Sequence, residues 1–162
     1  MKNPLFIGFG VALVAIAIAV AAVFYVQRGA HIQVTGQFLK VRTAPLDEHS
    51  SVAVIDFRVT NPADYPFVVR DVTAVLDGAA NGQPEGTTVS DSDTERLFAG
   101  VPLLGQKYNP TLFARSRLAP HQSGDFMVAA RFEVPEADLE KRKRLILRIA
   151  EVDGAESEIN EK

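Results

Sequence analysis

The chain has 162 residues, with 17 Lys and Arg against 20 Asp and Glu and a formal net charge of −3. All 20 acids but only 15 of the basic residues follow Arg28, so this larger part carries −5, the wrong sign for a nucleic-acid partner. There is no cysteine, which excludes disulfides and thiolate chemistry.

Residues 1–4 form a short tail. From Leu5 to Val26 the sequence runs for 22 positions without a charged side chain. At 1.5 Å rise per residue, a helix of that length crosses a hydrocarbon core of about 30 Å. The span is too long for the h-region of a removable signal peptide, about 7–15 residues. Val23 to Val26 also continue the apolar run past the small-x-small triplet Ala19-Val20-Ala21. The segment therefore predicts an uncleaved single-pass anchor. Lys2 before it and Arg28, Lys40 and Arg42 after it give no strong positive-inside bias. The short tail favours a cytoplasmic N-terminus, with the rest of the chain outside the cytoplasm. Within the span, Gly8, Ala12, Ala15, Ala19 and Ala22 fall on one helical face. Small residues in such a row let two helices approach closely, so this face is a candidate for homodimer pairing.

Residues 27–30 read as a linker, about 14 Å at full extension. A domain over 31–160 must then sit close to the head groups, where Arg28, Lys40 and Arg42 become candidate membrane-proximal cations. His31 to Thr43 alternates loosely through Ile32, Val34, Phe38 and Val41, with Gly36 read as a bulge or bend. Ser51 to Thr60 is the clearest strand, with Ala53, Ile55, Phe57 and Val59 on the apolar face and Asp56, Arg58 and Thr60 on the other. Asn61-Pro62 and Tyr65-Pro66 mark a turn, and Phe67 to Asp77 is a third strand ending at Asp77-Gly78.

Between Gly78 and Pro110 the pattern weakens. Gly78 to Thr88 reads as an exposed hairpin or loop. Ser92 and Glu95 have capping-box spacing for a short helix over 93–99. Val101 to Gly105 reads as an apolar loop over the end of the core. Strands resume at Thr111 to Leu118, Gly124 to Val134 and Leu145 to Val152. A helical turn over Pro135 to Lys141 separates the last two, and Ala155 to Ile159 forms a final strand. Seven to eight short strands with only short helices predict an all-β, antiparallel sandwich of immunoglobulin-like type, since the connections are too short for parallel crossovers.

The stretch Val54-Ile55-Asp56-Phe57-Arg58-Val59-Thr60-Asn61-Pro62, followed by Pro66-Phe67-Val68-Val69-Arg70-Asp71-Val72, resembles the late-embryogenesis-abundant type 2 group, also known as water-stress and hypersensitive-response (WHy) domains. Leu118 to Ser123, leading into Phe126 to Phe132, suits the later strands of that group. The resemblance implies an immunoglobulin-like sandwich, often membrane-tethered and without catalytic residues. The roles it implies are stress protection, membrane association or lipid handling. Gly78 to Pro110 falls outside the pattern.

Motifs for chemistry are sparse. Asp91, Asp93 and Glu95 alternate, but Arg96 and Pro102 stand where an EF-hand loop needs Gly and Glu. Acids at a helix start complement its dipole. Lys141-Arg142-Lys143-Arg144 is the one dense basic run, preceded by Glu136, Asp138 and Glu140, and reads as a solvated, salt-bridged turn with Glu140–Arg144 as one pairing. His31, His49 and His121 lack ligand spacing. No nucleophile-elbow, zinc-protease or phosphate-cradling motif occurs, so no catalytic residue, metal or cofactor is assigned. The expectation is a membrane-tethered, non-enzymatic domain that binds lipid or a partner protein at the envelope. The alternative is an assembly subunit associating through the helix and the 101–105 loop.

Overall fold

The computed structural model describes residues 12–22, 33–78 and 82–162, and divides the chain into two units between His31 and Ile32. The first contributes a described helix over 12–22, apolar at every position. Among the described residues, no helix is long and apolar enough to cross a membrane. Gly8 and Arg28 lie outside the described residues.

The described residues of the second unit form eight strands: β1 (Thr35–Pro45), β2 (Ser51–Thr60), β3 (Phe67–Asp77), β4 (Glu85–Thr88), β5 (Arg117–Leu118), β6 (Ser123–Phe132), β7 (Arg144–Glu151) and β8 (Glu156–Asn160). Two short helices, α1 (Asp91–Gly100) and α2 (Glu136–Glu140), interrupt them. The strand order is β1-β2-β6-β4-β3-β7-β8, with β5 also on β3, and every strand pairing is antiparallel. β1-β2-β6 forms one layer and β3-β7-β8 the other.

β4 joins the layers. Its first half pairs with β3 through Ala74–Gly86, and its second half pairs with β6 through Thr88–Ala130. This crossing runs through the stretch read from sequence as an exposed hairpin or loop; four residues, two of them Thr and one Gly, carry no alternating pattern. At the opposite side β1 approaches β8. There Gly36 lies against Ile159 and the Arg58 carbonyl, so a side chain at position 36 would clash with both.

Two bulges explain why the alternation is loose. β1 shifts register between Phe38 and Lys40, and β3 between Val69 and Asp71. The first lies at Leu39, not at Gly36 as the sequence suggested. Beyond it Val41 turns inward, and Lys40, Arg42 and Ala44 turn outward. In β3 the bulge moves the inward set from Phe67 and Val69 to Val72, Ala74 and Leu76. An extra residue flips every later side chain to the other face.

The core between the layers contains Ile55, Phe57, Phe67, Leu76, Val128, Phe132, Leu145 and Leu147. A second apolar cluster lies on the outer face of β1-β2-β6, made of Ala44, Val52, Val54, Met127 and Ala129. Val89, Leu97, Phe98, Val101 and Leu104 cover it. The 101–105 loop, a 3-10 turn at Pro102–Leu104, thus covers the flank of a sheet and not the end of the core. Helix α1 starts two residues earlier than expected. Ser90 caps it, accepting from the Asp93 backbone N–H at 3.2 Å, in the role assigned from sequence to Ser92. The strand expected over 111–118 is reduced to one bridge, Thr111–Met127, and the two residues of β5.

Candidate functional site

The cover over β1-β2-β6 is held by charge as well as by apolar contact. Arg42, on β1, and Asp56, opposite on β2, pair at 2.8 Å with side chains only 9% and 4% exposed. The Arg42 guanidinium also donates to the Leu104 carbonyl and, at 2.8 Å, to the Gln106 carbonyl. It lies 5.2 Å from the ring centres of both Phe98 and Tyr108. Asn109 donates to the second Asp56 oxygen at 2.8 Å. Three side chains of the cover, Phe98, Tyr108 and Asn109, thus converge on one buried charge pair.

This arrangement separates the three cations grouped in the sequence. Arg42 spends its charge inside the protein, so it is not presented to head groups. Lys40 remains exposed, with Nζ 5.8 Å from the Tyr108 ring centre. Of the small-residue row, Ala12, Ala15, Ala19 and Ala22 lie on the described helix and are all exposed.

The other sequence candidates are engaged locally. Asp91 takes Lys107 at 2.9 Å, and Asp93 takes the Ser90 hydroxyl at 2.8 Å. Among the described residues, no group of three or more His, Asp or Glu is placed to hold a metal ion. In the basic run, Arg144 pairs with Asp77 at 2.8 Å and not with Glu140. Arg142 makes a two-pronged pair with Glu161 at 2.5 and 2.8 Å. Burial pushes the Glu161 carboxyl upward, but Arg142 and the Leu145 backbone N–H outweigh it and hold it below the ordinary glutamate range.

Asn61 does more than its turn signal suggested. Fully buried, its Nδ2 donates to the carbonyls of Tyr65, Leu118 and Ala119 at 2.9, 3.2 and 3.1 Å, and its Oδ1 accepts from Ala63 N–H. It ties the β2–β3 turn to the segment between β5 and β6. On another flank, Val72, Val89, Leu112 and Phe113, with Asp71, Thr88 and Asp91, border a cavity of about 310 Å³. Sequence could not locate it, because its walls come from segments far apart in the chain.

The described residues define an all-β protein, an antiparallel sandwich of eight strands with short helices. No family model matches the chain, and no curated protein matches it. Among solved structures it is similar to an uncharacterized β-sandwich protein from Clostridium difficile 630, with 12% identity and a TM-score of 0.44, over 80% of this chain and 86% of that one. It is also similar to the X-ray structure of Northeast Structural Genomics Consortium target SoR45, with 11% identity and a TM-score of 0.32, over 81% of this chain and 80% of that one.

Proposed function

We propose that the chain is a membrane-tethered, non-enzymatic sandwich of immunoglobulin-like type, related to the late-embryogenesis-abundant type 2 group, that engages lipid or a partner protein at the cell envelope. The observation that carries this reading is the helix over 12–22. Every residue of it is Ala, Val, Leu or Ile, and every one is exposed. A helix apolar on all sides is stable only where lipid or protein covers it. The described helix alone covers about 16 Å at 1.5 Å per residue, about half of a bilayer core. The uncharged sequence from Leu5 to Val26 supplies enough length for the whole crossing. The N-terminus is cytoplasmic in this reading and the sandwich lies outside. The apolar part of the cavity beside Val72 and Leu112 supports the lipid arm, since small-molecule sites are mostly apolar with a few polar groups.

Alkaline carbonate extraction of membranes containing the full chain tests the proposal. The protein stays in the pellet, and protease added from outside the cytoplasmic membrane removes the sandwich. Release into the supernatant would overturn the reading.

A second reading, an assembly subunit, is favoured by Leu103. This side chain is 76% exposed on a turn whose next residue, Leu104, is fully buried. In this reading the exposed knob, on a turn held by its buried neighbour, supplies the contact to the partner protein.

A further inference from the structure

We infer that the cavity beside Val72 and Leu112 binds a small apolar amine, with its hydrocarbon body against those two side chains and its ammonium group on Asp71; this rests on the lipid arm of the reading above. The cavity exists because the neighbours of β3 part from it. At one end the Arg115 N–H donates to the Val69 carbonyl at 2.7 Å, and the Val69 N–H to the Ser116 carbonyl at 2.9 Å. At the other, Ala74 and Val75 pair with Gly86 and Glu85 of β4. Between these points β4 leaves for β6, and Asp71 and Val72 border the opening. The Thr88 hydroxyl reaches across, donating to the Val72 carbonyl at 2.6 Å. The facing walls hang from β6: the Val89 N–H donates to the Ala129 carbonyl at 2.8 Å, and the Leu112 N–H to the Met127 carbonyl at 2.9 Å.

The walls select the body of the ligand. Val72 and Leu112 are buried, Val89 is half-buried, and Phe113 is 51% exposed at the rim. The volume, about 310 Å³, stands at the small end of the range for small-molecule sites, about 300–1,000 Å³. Such a space suits one ring or one short chain, and not a two-chain phospholipid.

Charge selects the other end. The ionisable groups bordering the cavity are both carboxylates, Asp71 and Asp91, and both are exposed. Asp91 is already paired with Lys107 at 2.9 Å. Asp71 accepts from the Thr73 hydroxyl at 3.3 Å and makes no ion pair among the described residues. The neighbouring cations are engaged or set apart. Arg70 pairs with Glu156 at 3.8 Å, and the exposed Arg115 follows Ala114 of the wall but does not itself border the cavity. A primary amine of lysine type is charged at neutral pH and supplies the partner that Asp71 lacks. A carboxylate on the same hydrocarbon body would bring a third negative charge to Asp71 and Asp91.

Phenethylamine, phenethyl alcohol and hydrocinnamate share a ring and differ in charge. Their binding to the full chain in mild detergent is measured by isothermal titration, with empty micelles as the blank. The amine binds more tightly than the alcohol, and the alcohol more tightly than the acid. Asp71→Asn weakens the amine about tenfold, the effect of one hydrogen bond to a charged group, and leaves the alcohol unchanged. Ala114→Trp, at an exposed position on the wall, fills the space and weakens both amine and alcohol. Melting curves show that both variants are folded. Hydrocinnamate bound as tightly as the amine overturns the ammonium assignment and leaves the lipid arm standing. Amine binding indifferent to both variants overturns the site. Binding of none of the three overturns this inference and the lipid arm together, while the anchor is judged by carbonate extraction.

Discussion

Arg42 and Asp56 face each other across β1 and β2 at 2.8 Å, almost entirely shut off from solvent. They belong to the outward-pointing sets Lys40, Arg42 and Ala44 on β1 and Val52, Val54 and Asp56 on β2, on a face that would be wet if residues 89–111 did not cover it. The pair is buried because the cover is there, and its extra bonds to the Leu104 and Gln106 carbonyls fasten that cover down.

Removing one member leaves the other charge buried without its partner, which costs about 3–5 kcal/mol. Arg42→Ala and Asp56→Ala should each lower the thermal midpoint of the full chain in mild detergent, followed by circular dichroism. The double variant Arg42→Met/Asp56→Leu should lose less than either single one, because no uncompensated charge remains. A double variant as unstable as the singles would show that geometry, not charge, is what the pair supplies.

Leu103 and Leu104 give a sharp contrast between neighbours, 76% exposed against fully buried. Leu104→Ala should destabilise by about 2–5 kcal/mol, as loss of a packed side chain from the cluster of Val52, Val54 and Met127. Leu103→Ala should fall within about 0.5 kcal/mol, as for other exposed positions. In the assembly reading, Leu103→Ala is also the variant that loses a co-purifying partner in a detergent pull-down while its melting curve stays unchanged.

The same cover marks where sequence reading stopped. Ser51–Thr60 and Phe67–Asp77 were legible to the residue, because period-two alternation in Val-rich runs bounded by Asn-Pro and Asp-Gly leaves little choice. The alternation also identified Ala53, Ile55, Phe57 and Val59 as one inward face. It placed Asp56 on the opposite face but not in a buried site, since a polar residue on an alternating strand normally faces water and nothing local announces a distant segment folding over it. The stretch holding β4 stayed open between hairpin and loop for a similar reason: its role depends on two partners, β3 and β6, and not on its own four residues. Arg42 was misplaced because the bulge at Leu39 and the carbonyls of Leu104 and Gln106 are properties of the assembled sheet. Leu103 and Leu104 looked equivalent in sequence, and only the turn geometry separates them.

Asn61 holds three carbonyls and one N–H with a single buried amide. Asn61→Ala should cost about 3 kcal/mol or more, since each orphaned buried group carries roughly 1–3 kcal/mol. Asn61→Asp keeps the acceptor for Ala63 but cannot donate when ionised, so it should be at least as damaging at neutral pH. Urea unfolding of both variants checks this. A substitution by Ser that restored full stability would show that filling the space is enough.

Glu161 provides the clearest acid-sensitive contact. Burial opposes its ionisation, but Arg142 and the Leu145 N–H prevail, so its pKa is lower in the folded chain than in the unfolded one. A lowered folded pKa means that the unfolded state binds the proton first. The contribution of Glu161 is therefore complete above the ordinary glutamate range and is lost as pH falls through its lowered folded value. Glu161→Gln keeps the shape and removes the charge. The gap in thermal midpoint between the parent chain and this variant should be widest near neutral pH and shrink through that acid window. A gap that stays constant from neutral to acid pH would mean that Arg142 is held at the end of β8 by packing, with no share for the carboxylate charge.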